Sequence, residues 1–259
     1  MERWSRSRDG DTHWRATTRD NLTSVYGLTA GSRISNPDNP QQVFSWLICQ
    51  SFDDRGHAMV FEYAQEDDAN VDPGRIEERL RTPAQRAANR YIKAVRYGNS
   101  MPCYAASDLA ATGWLFTLLF DYGEGHFEPS GTQTAERGMA QASFAATRSW
   151  PARQDPFSRA RSGFEVRTHR LCRRVLMFHH FAAELGAPDV LVRSTDFTYA
   201  EDPIATTLTR VTHSGYQFAA DADSRHSIRL RLNGRSSRQR PQHVDPQPPV
   251  NMSNWWTES

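Results

Sequence analysis

Ser162-Gly163-Phe164-Glu165-Val166-Arg167-Thr168-His169-Arg170-Leu171-Cys172-Arg173-Arg174-Val175-Leu176-Met177-Phe178-His179-His180-Phe181 is the stretch that decides the fold. After the glycine, Phe164, Val166 and Thr168 alternate with Glu165, Arg167 and His169, the period of a half-exposed strand. The alternation falters over residues 171–174 and returns as an unbroken apolar run, Val175-Leu176-Met177-Phe178. Such a run suits a strand covered on both faces. Residues 162–181 therefore read as one long strand with a bulge near Cys172 and Arg173, or as two strands with almost no turn between them.

Strand and turn signals continue on both sides. Residues 3–7 and 12–18 flank Arg8-Asp9-Gly10-Asp11 and read as a hairpin, with 22–28 as a third strand. Residues 31–41, with Asn36-Pro37 and Asn39-Pro40, read as a loop. Residues 43–52 place Phe44, Trp46 and Ile48 on one face, and Asp53-Asp54-Arg55-Gly56 turns the chain into 57–63 as the second arm of a hairpin. Residues 75–80, after Pro73-Gly74, are the one helical patch. Residues 90–97, 114–122, 190–199 and 206–216 return to strand, the second with Phe116, Leu118 and Phe120 on one side. Residues 124–151, rich in Gly, Ala, Thr and Gln, read as an exposed excursion. The expected class is mainly β, built of antiparallel hairpins and long strands with little helix and no fixed-period repeat. A β domain is expected over residues 1–218. Residues 219–259 carry six arginines and no acid between 224 and 243, then Pro246, Pro248, Pro249 and Trp255-Trp256. That composition reads as a diverged, disordered tail, the functional alternative being a basic arm for an acidic partner.

Composition narrows the function. Basic and acidic residues nearly cancel, 31 against 30, and mean hydropathy is −0.70. Lys93 is the one lysine among the basic residues; the rest are arginine. Without a net basic excess there is no phosphate-binding face to build, so a nucleic-acid partner is not expected. Cys49, Cys103 and Cys172 are odd in number and widely spaced, which argues against zinc and against a disulfide framework. No apolar segment follows Met1 as a signal peptide would, and the greasiest stretch, 109–120, is too short to span a bilayer.

Candidate chemistry is sparse. Cys172 sits among Arg170, Arg173 and Arg174, with His169, His179 and His180 in the same segment, the charge environment that can activate a thiol. Strand alternation points Cys172 and His169 to opposite faces, which favours an inert, packed cysteine. His179-His180 lacks H-x-H or HExxH company. Asp68-x-Asn70-x-Asp72-x-Gly74 has the rhythm of a calcium loop, but Pro73 holds the sixth position and Arg79 stands where a bidentate Glu is required. A solvated acidic loop is the plainer reading. No catalytic, cofactor-binding or metal residue is assigned.

Several stretches carry a family resemblance in the same order along the chain. They are Asp9-Gly10-Asp11-Thr12-His13-Trp14-Arg15, Val43-Phe44-Ser45-Trp46-Leu47-Ile48-Cys49, and Asn89-Arg90-Tyr91-Ile92-Lys93 with Arg96-Tyr97-Gly98-Asn99. Phe120-Asp121-Tyr122-Gly123-Glu124, Gln154-Asp155-Pro156-Phe157-Ser158 with the opening segment, and Leu191-Val192-Arg193-Ser194-Thr195-Asp196-Phe197 follow. Together they resemble the SpvB-type N-terminal region shared by the Salmonella virulence plasmid B protein and the B subunits of insecticidal toxin complexes (Tc toxins). The resemblance implies a secreted, extracellular toxin component made without a signal peptide. It further implies part of an Rhs-type β shell that encloses a toxic polypeptide. Through the full-length protein its partners would be the C subunit and the A-subunit translocation channel. It also implies that residues 1–259 are a piece of a longer protein. ADP-ribosyltransferase chemistry in this family belongs to a separate domain that needs Glu-x-Glu and Ser-Thr-Ser; the nearest approaches here are Glu77-Glu78 and Ser194-Thr195-Asp196. The chain is therefore expected to be non-catalytic, the alternative being a hydrolase or transferase site at Cys172 and a histidine.

Overall fold

The computed structural model describes residues 1–103, 109–130, 139–218 and 227–231. The chain opens with β1 (Glu2–Ser5), β2 (Thr12–Thr17), β3 (Thr23–Tyr26), β4 (Arg33–Asn36), β5 (Asn39–Trp46), β6 (Ile48–Phe52) and β7 (Ala58–Gln65). One turn of helix, α1 (Pro83–Arg86), precedes β8 (Arg90–Asn99) and β9 (Trp114–Asp121). Then come β10 (Phe127–Ser130), β11 (Met139–Ala142), β12 (Phe157–Arg159), β13 (Val166–Thr168) and β14 (Arg174–His179). After α2 (Ala182–Leu185) the chain forms β15 (Val190–Ala200), β16 (Thr207–Phe218) and β17 (Ser227–Arg231).

Thirteen of these strands make one antiparallel sheet, ordered β1-β2-β3-β6-β7-β8-β9-β14-β15-β16-β17-β11-β10. Two excursions leave it as separate hairpins, β4 with β5 and β12 with β13. The apolar run of the opening segment becomes β14, paired with β9 on one side and β15 on the other. Its alternation decides the two faces. Leu176 and Phe178 point to one side and are almost wholly buried, alongside Leu119 and Leu191. The β10–β11 hairpin adds Phe127 and Ala140 to the same cluster, so the sheet curls over its own inner face. The Phe127 and Tyr216 rings meet at 5.8 Å and those of Phe144 and Phe178 at 5.4 Å. Full burial of each large side chain is worth about 1.5–3 kcal/mol, and this cluster is the main apolar source of stability. Leu118, Phe120, Val175 and Met177 lie on the opposite face and are half-buried. At Gly98 the backbone takes φ 68°, and a Cβ there would stand 2.5 Å from the Phe116 ring, which stacks on Tyr97. Glycine is required on both counts.

The hairpin expected over 3–18 is present, and the one expected between 43–52 and 57–63 forms only in its inner half. The 43–52 arm is broken at Leu47. The Leu47 N–H donates to Ser32 O and its carbonyl accepts from Gly27 N, each at 2.8 Å. Val43 through Trp46 therefore pair with β4, and only β6 pairs with β7. Residues expected as a loop at 31–41 thus contain strands on either side of a Pro37–Asp38 turn. The opening segment is two strands in two sheets, linked by residues 169–173. The register shift lies between Met177 and Phe178 rather than at Cys172. No helix forms over 75–80, which is a run of turns; the helix starts at Pro83, capped by the Thr82 hydroxyl. Among the described residues of 124–151, expected as an exposed excursion, His126, Phe127, Ala140 and Trp150 are buried while 145–149 are exposed. Ser227–Arg231, expected within the disordered tail, forms β17 between β16 and β11. The remaining residues of 219–259 lie outside the described residues.

Candidate functional site

The linker from β13 to β14 dives under the 66–89 excursion and builds a buried layer of charge. Arg170 grips Glu66 through Nε at 2.9 Å and through Nη2, and both side chains are fully buried. Its Nη1 donates to the carbonyls of Ala69 and Trp150 at 2.8 and 3.1 Å, and its plane lies 4.6 Å from the Trp150 ring centre. Glu66 also accepts from the backbone N–H groups of Asp67 and Asp68. One turn along, buried Glu78 takes Arg81 Nη1 at 3.0 Å, and Arg167 Nε lies 2.8 Å from its other oxygen without hydrogen-bond alignment. His169 Nε2 stands 3.4 Å from Glu78 Oε1, and burial pushes the imidazole below its usual pKa. Tyr91 Oη accepts from His169 N, and Asn89 Nδ2 donates to Arg167 O. These contacts dock the linker on the start of β8. Breaking such a pair costs more than forming it gains, so the layer fixes geometry more than it adds stability.

Cys172 does not meet a histidine. Its thiol donates to Arg174 O at 3.5 Å and packs beside Tyr91, Tyr122 and Trp150. Burial pushes the thiol up to about 11, the reverse of activation. The three histidines are used elsewhere. His169 belongs to the Glu78 cluster, and His179 packs edge-on to Phe116 and Phe181. His180 Nε2 contacts Thr117 Oγ1 at 2.8 Å, while its Nδ1 meets Asp189 Oδ1 at 2.8 Å. Thr117-His180-Asp189 has the connectivity of a nucleophile, base and orienting carboxylate, and sequence spacing gave no sign of it. Thr117 is 0% exposed in the middle of β9, so no substrate reaches its hydroxyl. The trio latches β9 to the turn after β14.

The calcium rhythm at Asp68, Asn70 and Asp72 is likewise spent. Asp68 Oδ2 accepts from Arg86 at 2.8 Å, Asn70 Nδ2 donates to Trp150 O at 2.9 Å, and Asp72 Oδ1 caps Gly74 N. Among the described residues no group of three or more His, Cys, Asp or Glu could hold a metal ion. Glu78 lies in the buried layer while Glu77 faces solvent, and Ser194 Oγ hydrogen-bonds Asp196 and Tyr216. Lys93 Nζ contacts Glu124, His126 Nε2 and the Phe120 carbonyl. Burial alone would raise Glu124, but the hydrogen bonds from His126 and Lys93 prevail and its pKa is lowered. No helix among the described residues is long and apolar enough to cross a membrane.

Comparison with known proteins fits this geometry. The family model for SpvB, the Salmonella virulence plasmid 65kDa B protein, matches residues 1–181. The mono(ADP-ribosyl)transferase SpvB of Salmonella typhimurium strain 14028s is 39% identical over 215 residues, 80% of this chain and 34% of that protein. The chain thus spans about a third of the length of the curated relatives it matches. Among solved structures, the N-terminal domain of effector protein SpvB from Salmonella typhimurium strain LT2 superposes with TM-score 0.73 at 38% identity. That match covers 83% of this chain and 64% of the other. A chain of the TcdB2-TccC3-Cdc42 crystal structure matches with TM-score 0.70 at 33% identity, covering 83% of this chain and 10% of that one. The Photorhabdus luminescens Tc holotoxin pore gives 0.69 over the same shares.

Proposed function

The chain belongs to the SpvB family, and from that premise we propose that it is a non-catalytic wall segment of a toxin-complex B subunit. Its relatives are virulence and toxin proteins, and both the effector N-terminal domain and the toxin-complex chain share its fold. The observation that carries the proposal is the thirteen-stranded sheet, whose central strands are apolar on both faces and whose end curls back over the core. A wall needs extended sheet with managed edges rather than a pocket with convergent catalytic groups. In this role the segment forms part of the Rhs-type shell around a toxic polypeptide. The C subunit and the A-subunit channel are reached through the rest of the protein, which acts outside the cell. The transferase activity in the relatives' name belongs to proteins of which this chain spans 34%, and it is not transferred here.

The test grafts residues 1–218 in place of the stretch they match in the toxin-complex chain and expresses the graft together with TccC3. The two are expected to elute as one complex, with the enclosed part of TccC3 resistant to protease. A soluble graft that leaves TccC3 protease-sensitive would sink the wall assignment. Separately, label transferred from NAD to actin by the purified chain, above a heat-killed control, would overturn the non-catalytic half.

A further inference from the structure

Between residues 72 and 86 the chain is held down by charge. Its large aliphatic side chains, Ile76 and Leu80, are 79% and 94% exposed, and the residues buried there are Glu78 and Arg81. With no apolar anchor, the docking of this excursion on β13 and the following linker rests on the ionic cluster around Glu78.

That cluster balances only while one member is neutral. Arg81, Arg86 and Arg167 bring three guanidinium groups to within 4.0 Å of the Glu78 carboxylate. Glu78 supplies one negative charge, Asp68 beside Arg86 a second, and Glu165 beside Arg81 a third. The His169 ring, 1% exposed, completes the cluster, with Nε2 3.4 Å from Glu78 Oε1 and 3.5 Å from Arg81 Nη1. Glu66, at the end of β7, is already taken by Arg170, and β8 presents the neutral Tyr91 hydroxyl. A proton on His169 would therefore be a buried positive charge with no counter-ion of its own. Directional bonds offer little resistance to it. Glu78 Oε1 and the Nε atoms of Arg81, Arg86 and Arg167 are all buried without a hydrogen bond. Burial lowers the His169 pKa, reinforced by Arg167 and Arg81 and opposed by Glu66 and Glu78. A lowered value in the docked state favours docking above the ordinary histidine range, and that preference is lost as pH falls through the docked value.

We propose that His169 is a proton-operated release: when its ring takes up a proton, the 72–86 excursion detaches from β13 and the linker while the thirteen-stranded sheet stays folded. The root of the excursion stays in place, because Arg170 and Glu66 hold it through a pair that contains no histidine. Acid thus exchanges a docked turn for an accessible tethered segment on an unchanged sheet.

Hydrogen exchange of the full chain between pH 7.5 and about pH 4.5 tests this, each rate divided by that of unstructured peptide at the same pH. The amides of Glu78, Arg81 and Arg86 bond to the carbonyls of Arg75, Glu78 and Thr82, in turns too short to persist once released. Their protection is expected to fall at least ~10-fold, the change carried by each unit of pKa between docked and released states. Amides of β8, β9 and β14 should keep theirs. The His169 ring, followed by NMR, should titrate below the ordinary histidine value, with protection falling between the two. His169→Gln, neutral throughout, should show no such fall. Protection that is constant with pH, that falls equally in β8, β9 and β14, or that falls in His169→Gln as in the parent would each overturn the proposal. Should that variant not fold, the parent decides alone: protection lost outside the interval set by the ring's own titration sinks the idea.

Discussion

Cys172 combines a cationic sequence neighbourhood with a folded position that cancels it. Arg170 turns to Glu66, Arg173 to Glu201, and Arg174 to Asp121 and Asp196, so none of the three guanidinium charges is left for the thiol. With its pKa pushed up to about 11, the thiol is protonated at neutral pH. Iodoacetamide at pH 7.5 should modify Cys172 at least ~10-fold more slowly in the folded chain than in urea, read by peptide mass spectrometry. Equal rates would show that the thiol is accessible and ionised. Asp155 behaves oppositely. Hydrogen bonds from Arg153 and from the Thr206 N–H and hydroxyl hold its carboxyl well below the usual carboxylate range, against a smaller opposing effect of burial. A depressed folded pKa adds stability above the unfolded value of about 3.9, and that stability is lost as pH falls toward the folded value. Asp155→Asn should cost about 1–3 kcal/mol at pH 7. The gap in Tm between parent and variant should then narrow on acidification below about pH 4. A gap that widens in acid would reverse the sign.

Among elements, the linker between β13 and β14 shows what buried charge does. Arg170→Met leaves Glu66 buried without its partner and should cost about 3–5 kcal/mol in urea unfolding. Arg170→Met with Glu66→Met should recover most of that loss, because two apolar groups replace two desolvated ions. If the double variant is as unstable as the single, the pair contributes net stability and the layer is more than a positioning device. This layer was hidden in the sequence. Arg170 and Glu66 are more than a hundred residues apart, and no local period announces a contact of that separation. Local features were readable: the 3–18 hairpin, the apolar run that became β14, and the β6–β7 turn at Asp53 through Gly56. The missed features share a cause. Leu47 leaves its strand because Gly27 and Ser32 take its backbone groups, and 75–80 stays unwound because Glu78 is pulled into the Arg81–Arg167 cluster. Ile76 and Leu80 carry helical spacing, yet they face solvent. Of the candidate sites, Arg79 in the acidic loop was legible in the sequence, whereas the alternation used for Cys172 does not apply, because Cys172 lies in the 169–173 linker and its burial there comes from Tyr91, Tyr122 and Trp150. The Thr117–His180–Asp189 latch was not legible, since its members come from separate elements.

For the whole molecule, β17 decides whether the curled end of the sheet is joined. It pairs with β16 through Gly215 to Phe218 and with β11 through Met139 to Gln141, and is the one strand between them. Deleting residues 219–259 should leave both edges open. Hydrogen exchange at amides of 139–142 and 215–218 should then speed by at least ~10-fold, while β7, β8 and β9 stay protected. Unchanged exchange in the deleted chain would mean that β11 holds its place without β17.

The strand order also sets a timetable for the ribosome. Up to β9 every strand of the large sheet can pair with one already made, so the meander can assemble as it emerges. The next hairpin, β10–β11, is made with no neighbour to receive it, because its place beside β17 does not exist until some ninety residues later. During that interval β9 is itself an open edge, waiting for β14 across more than fifty residues of intervening chain. Pairing over such separations is slow. Translation pauses after residue 142 would prolong exposure of two unmatched edges, whereas rapid synthesis through residue 231 would shorten it. For this chain the edges left longest without partners are those of β9 and β11, and both are open midway through synthesis.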